Sequence, residues 1–293
     1  MRALEELIAR AGERGSLPEA ILAMDAEEQM IDTALLSSRL RARLKVLRET
    51  VDAALAGHWQ PKLIGDDKDK YAALRRAPMS GELVWRASEI AVALGTCNAS
   101  MGRIVAAPTA GSCGILPGLL FAWQEARHGG DEKLLEGLIV AAAVGEIVSQ
   151  RATLAGASGG CQAECGAAAA MGAAALCHME GGSPEACAHA VALAFKSILG
   201  LACDPVAGLV ESPCVKRNGT LVSIGAIAAD MALAGIRSII PPDEVIDAMG
   251  DVGRALPPSL RETARGGCAL TPAGKALTKK LNENRAEAGA ALA

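Results

Sequence analysis

From Gly156 to Cys177 the chain reads GASGGCQAECGAAAAMGAAALC, a run of glycine and alanine with almost no side-chain volume. Neighbouring backbones can approach such a run closely, which implies a crowded, rigid core. Two readings stand side by side: a tight frame around something small, or an Ala-rich packed helix with no ligand. Composition extends the constraint to the rest of the chain. Apolar residues make up 51% of the 293 residues but aromatic ones only 2%, so the core must be built from Ala, Val, Leu, Ile and Met. Helix-on-helix packing uses such residues better than a β-sandwich does, and the sequence predicts an all-α protein.

Lys and Arg total 29 against 33 Asp and Glu, a formal charge of -4. No basic block marks a nucleic-acid footprint, so a nucleic-acid partner is not expected. The longest apolar runs, 138–148 and 221–240, carry Glu146 in the first and Asp230 and Arg237 in the second. They predict buried helices rather than membrane spans. The opening MRALEELIARAGERG is amphipathic and charged, without the apolar centre of a secretory signal, which predicts a cytosolic protein. Nine cysteines are an odd number in a reducing compartment. A disulfide framework explains them poorly, which leaves metal binding, catalysis or plain burial.

Leu4, Leu7, Ile8 and Ala11 predict a short first helix, and Gly15-Ser16-Leu17-Pro18 punctuates before a second. From about Glu27 to Leu55, apolar residues recur every three or four positions and predict one long helix. Residues 1–56 thus read as an N-terminal helical region, and 57–81, polar and proline-broken, as a linker or long loop. Residues 82–293 read as a helical domain, with helices near 82–95, 114–127, 132–150, 162–178, 184–199, 219–237, 242–249 and 273–288. Ser183-Pro184-Glu185 opens one of these with a cap, a first-position proline and a first-turn acid.

Two cysteines, Cys203 and Cys214, bracket a stretch broken by Pro205, Gly208 and Pro213. Backbone hydrogen bonding is interrupted there repeatedly, so an irregular loop is expected. The two thiols stand too far apart in sequence for a paired-cysteine zinc knuckle. A thiolate-bound cluster tolerates such spacing, and Cys161 in GGCQAECG supplies a third thiol, with Cys165 one turn further on. Spacing alone gives a thiolate metal site of open identity.

Three stretches, GGCQAE, CDPVAGLVESPCVKRN and APTAGSCGILPG, strongly resemble the iron-sulfur-dependent L-serine dehydratases, specifically the α chain of the two-chain type. The likeness runs from about Met1 to the last helix. It implies that Cys161, Cys203 and Cys214 hold a [4Fe-4S] cluster, one iron of which has no protein side chain and acts as a Lewis acid. The implied reaction converts L-serine to pyruvate and ammonia. The implied partner is a β chain carrying a serine- and histidine-containing motif, which this sequence does not show, so a hetero-oligomer is expected. Single-chain relatives end in a cysteine, whereas this sequence closes on AEAGAALA; Cys268, in ARGGCALTP, is left without a role.

Asn98, Thr109 and Ser112 are candidate substrate contacts, with backbone amides around Gly111 able to face a carboxylate. Lys216 and Arg217 are candidates to pair with the serine carboxylate or the cluster's negative charge, against the plainer reading of a solvated cationic pair. Glu164 is a candidate base or a hydrogen-bonding neighbour of the cluster, and equally a helix-start acid. Cys113 and Cys165 read as packing residues close to the site, and Cys97, Cys177 and Cys187 as core. None of the four histidines, His58, His128, His178 and His189, sits in a motif. Two rival readings remain: a non-catalytic helical scaffold with buried cysteines, and a pyridoxal-phosphate dehydratase, for which no lysine stands in a compelling context.

Overall fold

A computed structural model describes residues 1–74 and 78–290. Residues 75–77 of the charged loop and the last three of the closing AEAGAALA lie outside the described residues. Among those described the chain is all helical: α1 Leu4–Arg14, α2 Leu17–Gln29, α3 Thr33–Ala56, α4 Lys68–Ala72, α5 Glu82–Ala99, α6 Ile115–Arg127, α7 Asp131–Arg151, α8 Gly156–Gly159, α9 Ala167–Met179, α10 Pro184–Lys196, α11 Cys214–Leu233, α12 Pro242–Ala255 and α13 Pro272–Ala290. No strand occurs among them, only a single bridge between Cys203 and Arg261. No described helix is long and apolar enough to cross a membrane.

The small-residue run forms α9, and every residue of that helix except His178 is buried. It packs against α6, α7, α10 and α11 together. Only a helix without bulk can be enclosed on so many sides. The partners match it with their own small residues: a Cβ on Gly225 of α11 would stand 2.8 Å from Leu119 and 3.0 Å from the Ala169 carbonyl. Outside this centre, α5 packs on α6 and α11, α3 on α5 and α7, α2 on α7, and α1 on α10 and α12. One continuous buried cluster runs from Met1 through Phe195 to Met249.

Helix boundaries follow the local chemistry. Ser183 accepts a hydrogen bond from the Ala186 amide and Pro184 takes the first position of α10, as the sequence predicts. The expected long helix from Glu27 is interrupted, because Met30 turns left-handed (φ 54°) at the end of α2. Asp32 then caps a new helix through the Ala34 amide at 2.6 Å. Helix α11 begins earlier than the sequence suggests: Pro213 precedes its first turn, so Cys214 is its first residue.

Gly225→Val should force α9 and α11 apart and destabilise the fold by about 1–3 kcal/mol, read as a lower denaturant midpoint.

Candidate functional site

The three sequence-singled cysteines come from three separate elements. Cys161 immediately precedes a wide π-turn, Gln162–Gly166, that leads into α9. That turn is pinned by the fully buried Gln162, whose Oε1 accepts from the Gly200 amide at 2.8 Å while its Nε2 donates to the Met249 carbonyl at 3.1 Å. Cys203 sits in the irregular stretch, held on both sides of its peptide: its amide donates to Leu260 O at 2.9 Å and its carbonyl accepts from Glu262 N at 2.8 Å. Cys214 opens α11, and its carbonyl accepts from Asn218 Nδ2 at 3.0 Å. All three are buried.

Arg217 ties these elements together. It rises from α11 one turn after Cys214, donates from Nη1 to Ala202 O at 2.9 Å, and from Nη2 to Asp204 Oδ1 at 3.2 Å. The guanidinium's charge also favours the thiolate of Cys161. Burial opposes its charge, but Cys161 and Asp204 more than offset that and raise its pKa. The Cys161 thiol is lowered by the hydrogen bond from Cys165 and, against its own burial, by Arg217. Cys165 is correspondingly held as a thiol, well above its ordinary range, by its contact with Cys161 and by burial. Cys203 is raised, first by burial and then by the charges of Cys161 and Glu164. Burial and Cys161 push Cys214 up to about 12.

Glu164 lies at the same place. Thr109 Oγ1 donates to its Oε1 at 2.9 Å, Ser112 Oγ stands 3.1 Å from Thr109 Oγ1, and Cys203 Sγ approaches Glu164 Oε2 at 3.8 Å. Burial raises the carboxyl's pKa in spite of the hydrogen bond from Thr109. A Cβ on Gly156 would collide with Glu164 and come within 3.2 Å of Cys203 Sγ, so the cradle requires glycine there. The buried Asn218 closes the far side: Oδ1 accepts from Gly114 N at 3.0 Å and Nδ2 donates to Gly111 O at 2.7 Å.

The structure therefore brings Cys161, Cys203, Cys214, Glu164, Thr109, Ser112 and Arg217 together. Asn98 borders them, donating to Ala110 O at 3.0 Å. Lys216 faces another way and pairs with Asp67. Cys113 and Cys97 pack, their thiols directed at the Leu94 and Arg103 carbonyls, and Cys177 and Cys187 are buried in α9 and α10. His178 pairs with Glu136 and His189 accepts from Ser238 N, both outside this group. Cys268 is exposed, yet its amide donates to Asp204 Oδ2 at 2.8 Å. Sequence reasoning passed over Asp204, Asn218 and Gln162, although each lies within a quoted stretch: Asp204 and Asn218 in CDPVAGLVESPCVKRN, and Gln162 in GGCQAE. Among the described residues, no three His, Cys, Asp or Glu side chains are grouped so as to hold a single metal ion.

Residues 13–269 match the family described as serine dehydratase alpha chain. The chain belongs to that family. Relatives within reach include the probable L-serine dehydratase alpha chain of Bacillus subtilis (strain 168), 50% identical over 241 residues, which span 81% of this chain and 80% of that one. The L-serine dehydratase alpha chain of Peptoniphilus asaccharolyticus is 46% identical over 199 residues, 68% of each chain. L-serine dehydratase 2 of Escherichia coli (strain K12) is 40% identical over 184 residues, 61% of this chain but only 40% of that longer protein.

Because Arg217 favours the thiolate of Cys161, Arg217→Met should move the Cys161 titration to higher pH. The ultraviolet absorbance of thiolate, followed against pH in metal-free protein with Cys161→Ser as the reference, measures it.

Proposed function

We propose that this chain is the catalytic α subunit of a cytosolic L-serine dehydratase, in which Cys161, Cys203 and Cys214 hold a [4Fe-4S] cluster and L-serine is converted to pyruvate and ammonia. The observation that carries the reading is the grouping of three buried thiols from separate elements, with the charge of Cys161 felt by both Cys203 and Cys214 and the Arg217 guanidinium favouring the Cys161 thiolate, in a chain of the serine dehydratase alpha family. The donor set fits such a cluster. Its thiolates bind different irons, so they need not close on one point as the ligands of a single ion do. The bare Cα of Gly156 beside Cys203 and Glu164 leaves the cradle free of side-chain bulk. Arg217 supplies positive charge where several thiolates would otherwise repel one another.

A four-iron cluster held by Cys161, Cys203 and Cys214 would have one iron without a protein ligand and would supply Lewis acidity toward the serine hydroxyl. The chain's own residues do the rest. Cys165 and, after it, Arg217 favour the ligating, deprotonated form of Cys161. Glu164 presents Oε2 beside Cys203, while Thr109 fixes its other oxygen, itself backed by Ser112. A buried carboxyl with a raised pKa can hold a proton at that atom and exchange it with a substrate losing its α proton and its hydroxide. Elimination of water leaves an aminoacrylate, which tautomerises and takes up water to yield pyruvate and ammonia. Asn98 and the amides near Gly111 border the same space and offer contacts to the serine carboxylate. Lys216, paired with Asp67, is left with a weaker claim than Arg217.

A β chain completes the assembly in this reading. The relatives' designation as alpha chains supports it, as does the longer E. coli dehydratase, of which the matched region is 40%.

Anaerobically prepared protein should carry about four iron and four acid-labile sulfide per chain, lost in air. Cys161→Ser, Cys203→Ser and Cys214→Ser should each abolish stable cluster binding, whereas Cys187→Ser should keep it. Full iron and sulfide in all three single variants would overturn the ligand assignment. Serine-to-pyruvate turnover with the β chain added then tests the activity.

A further inference from the structure

The polar segment after α3 is tied to the cysteine-bearing loop by one side chain. Glu211, three residues before Cys214, is only 2% exposed. Its carboxylate accepts from three consecutive backbone amides across the fold: Lys62 N to Oε1 at 3.0 Å, and Leu63 N and Ile64 N to Oε2 at 2.6 and 3.3 Å. Successive amides arranged this way form an anion-binding concavity, and here the anion is the chain's own. Charge-assisted bonds to a buried carboxylate are among the stronger hydrogen bonds a protein makes. Removing the acceptor would leave three amides without a partner.

The same segment is anchored at both ends. Trp59 donates from Nε1 to Ala54 O at 2.9 Å and from its amide to Asp66 Oδ2 at 3.0 Å. Its indole lies 2.9 Å from where a side chain on Gly102 would project, just past the end of α5, whose last turn carries Asn98. Asp67, at the other end, pairs with Lys216 of α11. On its own side, Glu211 accepts the Val215 amide through its carbonyl at 3.0 Å, so its backbone shapes the first turn of the helix that Cys214 opens.

We propose that residues 59–67 form a strap that positions Cys214, with Glu211 as the positioning residue. The proposal rests on Cys214 being a ligand, and deepens that reading by naming what holds the ligand in place. Glu211→Gln keeps the side chain's size but replaces one acceptor oxygen with a donor that faces amide N–H groups. Leu63→Pro removes one of the three donors from the strap side and leaves the cysteine loop unaltered.

The first measurement is site-resolved alkylation of metal-free protein, read by mass spectrometry at Cys161, Cys203 and Cys214 separately. Both variants should raise the rate at Cys214 by about tenfold, the change expected for losing one buried charge-assisted hydrogen bond, with Cys161 and Cys203 unchanged. In Glu211→Gln, tryptic cleavage after the exposed Lys62 should accelerate in parallel, and Glu211→Asp should recover part of the protection; Leu63→Pro is read by alkylation alone, because a Lys-Pro bond resists trypsin. A uniform rise at all three cysteines, or faster cleavage at Lys62 with Cys214 unaffected, would overturn the proposal. This readout needs no metal, so it stays informative even if the wild-type chain takes up no iron. In loaded protein, iron should pass to a chelator faster from both variants than from wild type.

Discussion

Helix α9 is enclosed by α6, α7, α10 and α11, and this depends on its having almost no side chains to exclude them. Interaxial distance between helices is set by the residues at the contact. Alanine and glycine on α9, with Gly225 on α11, bring the backbones close and leave little room for rearrangement. Cys161 stands at the entrance to this helix, so its thiol inherits that rigidity. The π-turn between them widens the backbone, and Gln162 bolts the turn to Gly200 and Met249.

Around that fixed point the site is assembled by charge. Cys203 lies in a stretch with no regular ladder, and Cys214 begins a helix that approaches from another direction. Apolar packing alone would not bring thiols together, since a deprotonated sulfur resists burial. Arg217 overcomes this by donating to the Cys203 loop at Ala202 and Asp204 while facing Cys161 from the same helix that carries Cys214. Asp204 in turn accepts the Cys268 amide, which brings the 258–270 segment down beside the site.

Much of this was legible in the sequence. Period and caps located α5, α6, α7 and α10 to within a few residues, because Ser183, Pro184 and the flanking glycines act locally, whereas α12 runs six residues beyond the expected 249. The three ligand candidates were legible through their motifs. Two boundaries were not. A left-handed Met30 inside an apolar stripe carries no local signature, and Pro213, read as part of a loop, serves instead as the entry to α11. The strap was likewise invisible, since Glu211 and the amides of 62–64 lie far apart in the chain and an amide carries no residue label.

Lys216 and Arg217 mark the division most plainly. The sequence by itself determined an all-helical chain, a core of small residues, and two adjacent cations following a buried thiol. It could not assign them different duties. Consecutive residues on a helix diverge by about 100°, so once α11 begins at Cys214, Arg217 turns inward to Asp204 and Cys161 while Lys216 turns toward Asp67. Composition and periodicity act along the chain and fix which segments are helices. Which side chains meet depends on helix rotation and close approach, and these are set only when the packed faces come together.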